Sequence, residues 1–308
     1  MPELAHTNDQ DFSAGAAWMD GEIVPIGQAA IPVTDWGLTH SDITYDVVHV
    51  WDHRFFRMDD YITRFLASVD KCRLSIPQGR DDIRKILHDM VAKTGLERSY
   101  VSMVASRGQP GMLGSRDPRD CVNYFYAWCV PFVWVFTEDV LERGASLLLP
   151  DDVHRIGKTS VDPTAKNYHW GDFTQGLMAA KEQGFDNVVL LDQNGFLTEG
   201  PGFNLFIVKD GAVKTPRSGV LEGITRRTAI EICAAEGLSC EEADITATEL
   251  MEADEVFATT TGGGPVAIAR TNDRVFSNAS WGEITRRLNT VYWQWHERDD
   301  LSEAVGSL

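Results

Sequence analysis

Hairpin-type turn signals recur between short apolar segments of this chain, and they constrain its fold more than any other feature. Asp20-Gly21, Asn194-Gly195 and Asp210-Gly211 are dipeptides of this kind, because their residues adopt the positive φ angles of tight turns. Helical patterns are interspersed with the strand patterns, without the regular strand–helix alternation of a doubly wound sheet. The sequence therefore predicts a fold of the mixed α/β (α+β) class.

The chain has 308 residues, enough for two domains. We predict a small α/β domain over 1–130, an interdomain link over 131–143 and a larger domain over 144–308. Strands are predicted at 45–51, 54–58, 100–105, 122–130, 145–149, 187–192, 204–209 and 255–259, with a turn at Asp52-His53. Helices are predicted at 59–74, 81–94, 168–183, 225–236, 248–252 and 281–295. Residues 107–116 are rich in Gly and Pro and are expected to form a loop without regular structure.

Composition excludes several classes of function. A net charge of −18 argues against binding to nucleic acid. The longest apolar stretch, 127–136, has ten residues and contains Pro131, whereas a membrane span needs about 20. The N-terminus has no secretory pattern, and five cysteines without a C-x-x-C pair favour a reduced, cytoplasmic compartment.

Lys166 is one of only eight lysines and is the main candidate for amine chemistry. It lies in Asp162-Pro-Thr-Ala-Lys-Asn-Tyr-His-Trp170. Its aromatic neighbours would disfavour the charged form of the amine, which is the property that a Schiff-base lysine needs. The alternative is a surface lysine at the start of a helix.

Glu199 and two glycine-rich segments suggest a site for an anionic, nitrogen-containing ligand. Glu199 lies in Leu197-Thr-Glu-Gly-Pro-Gly-Phe-Asn204, where it could pair with a protonated ring nitrogen or be a solvated turn residue. Gly223-Ile-Thr-Arg226 begins a predicted helix, and Thr259-Thr-Thr-Gly-Gly-Gly264 ends a strand. Such segments present N–H groups to phosphate, although Thr225 could equally be an ordinary N-cap.

Two further patterns carry little weight. His49 and His53 are four residues apart, but zinc needs further ligands and this pair flanks a predicted turn. Asn278-Ala-Ser is a glycosylation sequon, which has meaning only in a secreted protein.

These motifs, in this order, resemble the fold type IV enzymes that depend on pyridoxal 5′-phosphate (PLP). The class contains branched-chain and D-amino-acid transaminases, and the chain looks most similar to the (R)-selective amine transaminases. The matching segments are His40-Ser-Asp-Ile-Thr-Tyr-Asp-Val47, Arg54-Phe-Phe-Arg-Met-Asp-Asp60 through Arg64, 162–167, 170–174, 197–204, Gly219-Val-Leu-Glu-Gly-Ile-Thr-Arg226 and 260–263.

The resemblance implies roles for individual residues. Lys166 matches the lysine that forms the Schiff base with PLP, Glu199 the carboxylate beside the pyridine nitrogen, and Arg64 an arginine that binds the phosphate. The other implied cofactor contacts are Ile224, Thr225, Thr260 and Thr261. The implied substrate pocket contains His40, Tyr45, Tyr100, Trp170 and Thr260. The family also has a small N-terminal α/β domain, a larger domain with barrel-like β-structure, and a site completed at the domain interface of a homodimer.

One loop departs from the (R)-amine pattern. Relatives of that type commonly carry an arginine there for the keto-acid carboxylate, where this chain has Leu113, and a glutamate where it has Ser102. Arg116 lies nearby in the loop and is expected to bind the carboxylate instead. The alternative is that Arg116 is a solvated loop residue, for which Asp117 and Asp120 are the nearest candidate partners in sequence.

The resemblance implies a transaminase that moves an amino group from an (R)-primary amine to a keto acid such as pyruvate. Alternatives within the fold are a D-amino-acid or branched-chain amino-acid transaminase and a lyase of the aminodeoxychorismate type. Outside enzymes, the alternative is a non-catalytic small-molecule binding protein that retains the fold.

Overall fold

A computed structural model describes residues 11–112, 114–277 and 281–306. The strands are β1 (Ala16–Met19), β2 (Glu22–Pro25), β3 (Ile43–Trp51), β4 (Arg54–Phe56), β5 (Ser99–Pro110), β6 (Cys121–Pro131), β7 (Ala145–Leu148), β8 (Asn187–Val188), β9 (Glu199–Gly200), β10 (Phe203–Lys209), β11 (Ala212–Pro216), β12 (Cys240–Ala243), β13 (Glu255–Thr260), β14 (Gly264–Thr271), β15 (Arg274–Val275) and β16 (Ser302–Ala304). The helices are α1 (Trp36–Thr39), α2 (Met58–Lys71), α3 (Arg80–Thr94), α4 (Glu138–Arg143), α5 (Gly171–Glu182), α6 (Ile224–Ala235), α7 (Ala247–Met251) and α8 (Glu283–Trp295). Each of the predicted helices is present, with ends shifted by up to three residues.

The chain divides into two compact units. Unit 1 draws on Met1–Val133, Ala165–Tyr168 and Arg298–Leu308, and unit 2 on Trp134–Thr164 and His169–Glu297. Two segments that the sequence-based division assigned to the larger domain thus belong to unit 1. Their place follows from strand pairing, because β16 is antiparallel to β4 and Asn167 forms an antiparallel bridge with Thr44 of β3.

Unit 1 contains a seven-stranded antiparallel sheet in the order β16-β4-β3-β5-β6-β1-β2. Both hairpin turns predicted here are confirmed, with positive φ at Asp20-Gly21 and at Asp52-His53. The apolar stripe of α2 is buried and packs toward the sheet, where the Phe65 ring lies 5.9 Å from that of Phe125 on β6.

The prediction that 107–116 lacks regular structure is wrong for its first part. β5 continues to Pro110, which pairs with Cys121 of β6, after a register shift between Ser106 and Gln109. The shift accommodates Gly108, whose φ is +74° and where an added Cβ would lie 2.0 Å from the Val122 carbonyl oxygen. A glycine that sequence reasoning treats as a loop former instead supports a bulge. Leu113, the predicted substrate contact on this loop, lies outside the described residues, as does the Asn278 sequon.

Unit 2 contains a nine-stranded mixed sheet in the order β12-β11-β10-β13-β14-β7-β8, with β9 on β10 and β15 on β14. Its core is apolar and includes Leu205, Ile207, Val256 and Ile268. The pairs β11–β12, β14–β7 and β7–β8 are parallel, and the others are antiparallel. Within the described ranges, every helix falls short of the length and apolarity that crossing a membrane demands. The two sheets with their helices confirm the predicted mixed α/β class.

Candidate active site

Lys166 lies on an extended segment that is fixed to two elements of unit 1. Its carbonyl oxygen accepts hydrogen bonds from the Thr44 hydroxyl at 2.6 Å and the Tyr45 amide at 3.2 Å. Its own amide donates to the Ser68 hydroxyl of α2 at 3.3 Å. The helix that follows begins only at Gly171. The alternative of a surface lysine at a helix start is therefore wrong, because strand-like pairing with β3 holds this residue.

The side chain of Lys166 lies among aromatic rings. Its amine is 4.6 Å from the centre of the Tyr45 ring, and Tyr45 stacks on Tyr168 with ring centres 4.1 Å apart. Burial raises the pKa of the Tyr100 hydroxyl to about 12, although the nearby Lys166 charge opposes the shift. The predicted pocket residues Tyr45 and Tyr100 thus share the surroundings of the lysine amine.

Ser102 extends this aromatic surface along the sheet of unit 1. It lies opposite Val47 on β3 and Trp128 on β6. The Ser102 residue is fully buried, and its hydroxyl lies within reach of the Tyr168 hydroxyl, whose pKa burial raises and the contact with Ser102 lowers. On the next strand Tyr126 is also substantially buried, and burial raises its pKa to about 12. The surface is mostly aromatic, and its polar groups are the hydroxyls of the tyrosines and of Ser102.

Arg64 of α2 forms a bidentate ion pair with Asp46 of β3. The Nε–Oδ2 and Nη2–Oδ1 distances are 2.8 and 2.7 Å, and the Asp46 side chain is fully buried. Burial opposes the charge of Arg64, but the Asp46 carboxylate outweighs it and holds the pKa of the guanidinium above its ordinary value. A cation fixed in this way is suited to an anionic ligand.

His40 and Arg116 are exposed residues of unit 1. His40 directly follows α1, and its ring stacks on Trp36 with centres 4.4 Å apart. Among the described residues no ion pair joins Arg116 to Asp117, which binds Arg119, or to Asp120, which accepts from Ser115. Among the described residues Arg116 has no ion-pair partner. The exposure agrees with the alternative of a solvated loop residue, and the guanidinium is equally open to a ligand, so the carboxylate role stays a prediction.

Glu199 is a buried carboxylate of unit 2, so the alternative of a solvated turn residue is wrong. The residue is 6% exposed and pairs with Asn204 across β9 and β10. Its Oε2 accepts from the Leu221 amide at 2.9 Å and from Asn204 Nδ2 at 3.2 Å. Arg155 Nη2 approaches the other oxygen, Oε1, at 3.4 Å. Three N–H donors therefore fix a negative charge in the interior of the unit.

Sequence reasoning missed Arg155. It belongs to none of the matching motifs and reaches Glu199 across 44 residues of chain. A cationic side chain in a segment without a motif gives no signal of this contact, which depends on tertiary structure alone.

The predicted phosphate segment of unit 2 begins helix α6. Gly223 is the residue before the helix, and an added Cβ there would lie 2.1 Å from Asn204 Oδ1. Thr225 is buried, and its hydroxyl has no partner within the described ranges. The alternative of Thr225 as an N-cap is therefore wrong, since a cap would use its hydroxyl on the helix. An unsatisfied hydroxyl beside free helix amides fits a bound phosphate.

Thr260, Thr261 and Trp170 also lie in unit 2. The Thr260 hydroxyl donates to the Gly202 carbonyl at 2.8 Å and accepts from the Gly262 amide at 3.2 Å, so its side chain holds two turns together. Thr261 follows at the end of β13. Trp170 precedes α5 and makes an edge contact with Phe173 at 5.7 Å. The neighbouring Thr259 hydroxyl is buried and without a partner in the described chain.

The weak zinc pattern gains no support. Over the described ranges, no cluster of His, Cys, Asp and Glu could hold a metal ion. His49 lies buried on β3, whereas His53 is in the turn that follows it.

Comparison with known proteins identifies the family. The profile of the family described as amino-transferase class IV matches residues 44–270. The chain belongs to the class IV aminotransferases. The predicted fold type IV resemblance and enzyme class are thereby confirmed, while the (R)-selective subtype stays a prediction.

Relatives and solved structures extend over nearly the whole chain. A putative branched-chain-amino-acid aminotransferase of Methanocaldococcus jannaschii is 29% identical over 89% of this chain and 94% of its own length. The Pseudomonas aeruginosa branched-chain-amino-acid aminotransferase is 28% identical over 91% of this chain and 92% of its own length. A branched-chain amino acid aminotransferase from T.th., solved with pyridoxamine 5′-phosphate, superposes with a TM-score of 0.88 at 25% identity, covering 95% and 99%. The branched-chain aminotransferase from Thermoproteus uzoniensis with norvaline superposes with a TM-score of 0.82 at 26% sequence identity, covering 94% of this chain and 99% of its own.

PLP is the cofactor of class IV aminotransferases, as the sequence predicted. The residues present fit this group. A lysine amine among aromatic rings, a buried carboxylate and a buried hydroxyl without a partner at a helix N-terminus match its aldehyde, its ring nitrogen and its phosphate.

Proposed function

We propose that this aminotransferase takes its amino group from a branched-chain amino acid and passes it to a 2-oxo acid. The observation that carries the proposal is the aromatic surface around the Lys166 amine, formed in unit 1 by Tyr45, Tyr100 and Tyr168. Such a surface favours an apolar substrate side chain. Relatives named as branched-chain-amino-acid aminotransferases, similar over some nine-tenths of the chain, support the same choice.

The proposal assigns each cofactor contact to a named residue, as the resemblance implies. Lys166 would bind the cofactor covalently through Nζ, and Glu199 would accept a hydrogen bond from the pyridine nitrogen. The residues assigned to the phosphate are Arg64, Ile224, Thr225, Thr260 and Thr261. Thr260 would act by shaping the turn, because its hydroxyl already binds Gly202 and Gly262.

The chemistry follows from these contacts. Bound PLP supplies the electron sink that makes the α-proton of the donor acidic. Lys166 Nζ would hold that proton during the transfer, as a general base and then a general acid. Glu199 would stabilise positive charge on the ring nitrogen. Arg64 and the α6 amides would keep the cofactor fixed while Lys166 moves.

Substrate carboxylates need a cation, since burying an unpaired carboxylate costs several kcal/mol. Arg107 of unit 1 is already bound to Asp42 and to two carbonyl groups. Arg116 is exposed and has no ion-pair partner in the described chain. We therefore assign the substrate carboxylate to Arg116, with His40, Ser102 and Trp170 as further pocket residues; Leu113 lies outside the described residues.

A second candidate is the transfer from an (R)-primary amine to pyruvate. The half-buried rings of Tyr100 and Trp128, 5.8 Å apart, favour it, because they offer contacts to an aromatic amine. Such a donor has no carboxylate, so only the keto acid would need Arg116.

The experiment is a comparison of initial rates with four donors. L-Leucine is assayed with 2-oxoglutarate, and (R)-1-phenylethylamine, (S)-1-phenylethylamine and D-alanine with pyruvate. We expect the highest kcat/KM with L-leucine. Consumption of (R)-1-phenylethylamine alone would instead establish the second candidate, and absence of turnover with all four would refute both.

We also propose that the enzyme is a homodimer. The exposed apolar side chains of unit 1 include Val33, Leu38, Met112, Val122 and Val133. A second copy would cover such a surface. Light scattering after size-exclusion chromatography should give twice the mass of the 34.3 kDa chain, and a monomer mass would refute the dimer.

A further inference from the structure

Arg155 connects Glu199 to a second, largely covered carboxylate of unit 2, that of Asp172, whose side chain is 11% exposed. The Arg155 and Glu199 side chains are 7% and 8% exposed, and Nη2 lies 3.4 Å from Oε1. Arg155 Nη1 binds Asp172 at 2.7 Å, and the guanidinium carbon lies 4.1 Å from the centre of the Phe173 ring. Arg155 Nε is buried and makes no hydrogen bond in the described part of the chain. The guanidinium is therefore held by the Phe173 ring and by the carboxylates of Asp172 and Glu199.

Asp172 is well satisfied without Glu199. Its Oδ2 also accepts from the Ile156 amide at 2.7 Å, and its Oδ1 accepts from the Phe173 amide at 2.8 Å. These backbone contacts fix Asp172 in the first turn of α5. Asp172 can therefore orient Arg155, which leaves the second amino group of Arg155 for Glu199.

The two oxygens of Glu199 differ in their partners. Oε2 binds the Leu221 amide and Asn204, whereas Oε1 meets the charged group of Arg155. Two largely covered carboxylates with one cation between them carry a net negative charge. Removal of that cation would leave both carboxylates with neutral N–H donors alone in a low-dielectric region, which raises their energy.

We propose that Arg155 is a positioning residue for transamination, which orients the Glu199 carboxylate toward the cofactor nitrogen and shares its negative charge. The inference deepens the proposed function and rests on the role assigned there to Glu199. Arg155 acts through Glu199 and is not assigned a contact with substrate.

The competing explanation is that Arg155 only neutralises Asp172. The variants R155Q, D172N and R155Q/D172N separate the two. R155Q leaves both carboxylates without a cation. The double variant removes the charge of Asp172 as well and puts two neutral amides in place of the ion pair. If Arg155 served only Asp172, the double variant would behave like the wild type.

Three quantities are measured for each variant: the PLP affinity of the apoenzyme by fluorescence titration, the thermal unfolding of the apoenzyme, and kcat and KM for the amino donor. We expect R155Q and R155Q/D172N each to lose about tenfold in PLP affinity and about tenfold in kcat. KM for the donor should change much less, because Arg155 is not in contact with it. R155K should recover part of both losses, since it retains the charge.

Arg143 offers a matched control. It forms a bidentate pair with Asp186 in the same unit but is half-exposed, so R143Q should leave PLP affinity and kcat unchanged. If R155Q fails to fold, the double variant, which has no uncompensated Asp172 charge, gives the same comparison. Wild-type affinity and kcat in the double variant would overturn the proposal.

The outcome is separable from that of the proposed function. PLP affinity does not depend on which donor the enzyme prefers, so a different substrate leaves the test intact. E199Q, measured in parallel, reports on Glu199 itself. If E199Q lowers kcat but the double variant does not, Glu199 acts without Arg155.

Discussion

Thr225→Val should change apoenzyme stability and cofactor affinity in opposite directions. The Thr225 residue is 3% exposed, and its hydroxyl has no partner within the described ranges. An unsatisfied buried hydroxyl costs about 1–3 kcal/mol. Valine has nearly the same shape without this polar group, so we expect the apoenzyme to gain about 1 kcal/mol in unfolding free energy.

In the enzyme with bound PLP, the same substitution is expected to be unfavourable. A hydroxyl that donates to a phosphate oxygen contributes about 1.5–3 kcal/mol, as hydrogen bonds to charged groups do. Its loss should weaken PLP binding by about 10- to 150-fold. The helix amides that begin at Ile224 remain in place, so binding is weakened and not abolished.

Two measurements check this prediction. Chemical denaturation of the apoenzyme gives the change in unfolding free energy, and equilibrium titration gives the PLP dissociation constant. The control is Thr228→Val on the same helix, whose buried hydroxyl already donates to the Ile224 carbonyl at 2.8 Å. That variant should not stabilise the apoenzyme and should bind PLP normally. A T225V enzyme with unchanged PLP affinity would refute the phosphate assignment.

Three further variants test other parts of the site. Glu199→Gln should retain cofactor but lower kcat by about 10²-fold, or roughly 2.7 kcal/mol, and an unchanged kcat would remove Glu199 from the ring. Asp46→Asn leaves Arg64 buried without its charged partner and should cost about 3 kcal/mol of apoenzyme stability; added PLP should then raise the melting temperature more than in the wild type, and a smaller rise would argue against a phosphate at Arg64. Arg116→Ala should raise KM for the keto acid at least tenfold, about 1.4 kcal/mol. KM for L-leucine should rise as well but that for a carboxylate-free amine should not, and unchanged keto-acid kinetics would leave Arg116 a surface residue.

The sequence predicted the turns and helices, because these elements depend on residues that are close together in the chain. Asp20-Gly21 and Asp210-Gly211 form the turns that their tolerance of positive φ indicates. The helices followed from apolar periodicity, as in α2. The motif around Lys166 identified the residue, although its extended backbone delays the start of α5 to Gly171.

Long-range pairing accounts for what the sequence did not predict. β14, which pairs with β13 and with the distant β7, was not predicted. The place of residues 298–308 in unit 1 depends on β16 pairing with a strand some 250 positions earlier. Gly108 was taken for a loop residue, because a bulge is defined by its partner strand.

The residues of the candidate site likewise fall into those that the sequence predicted and those that it did not. Resemblance supplied Lys166, Glu199 and Thr225, whose motifs are contiguous in sequence. It did not supply Arg155, whose contacts with Glu199 and Asp172 join separate segments. Partners that only tertiary structure brings together leave no pattern of spacing in a single sequence.

The assignment of Lys166 as the lysine that binds PLP is the central claim, and the site of covalent attachment tests it most directly. The holoenzyme is reduced with borohydride, digested and mapped by mass spectrometry. The phosphopyridoxyl label should lie on Lys166 alone, and Lys166→Ala should carry no label and lose nearly all turnover, since the covalent link and the proton carrier are the same amine. A label on Lys158, eight residues earlier in the chain, would contradict the account.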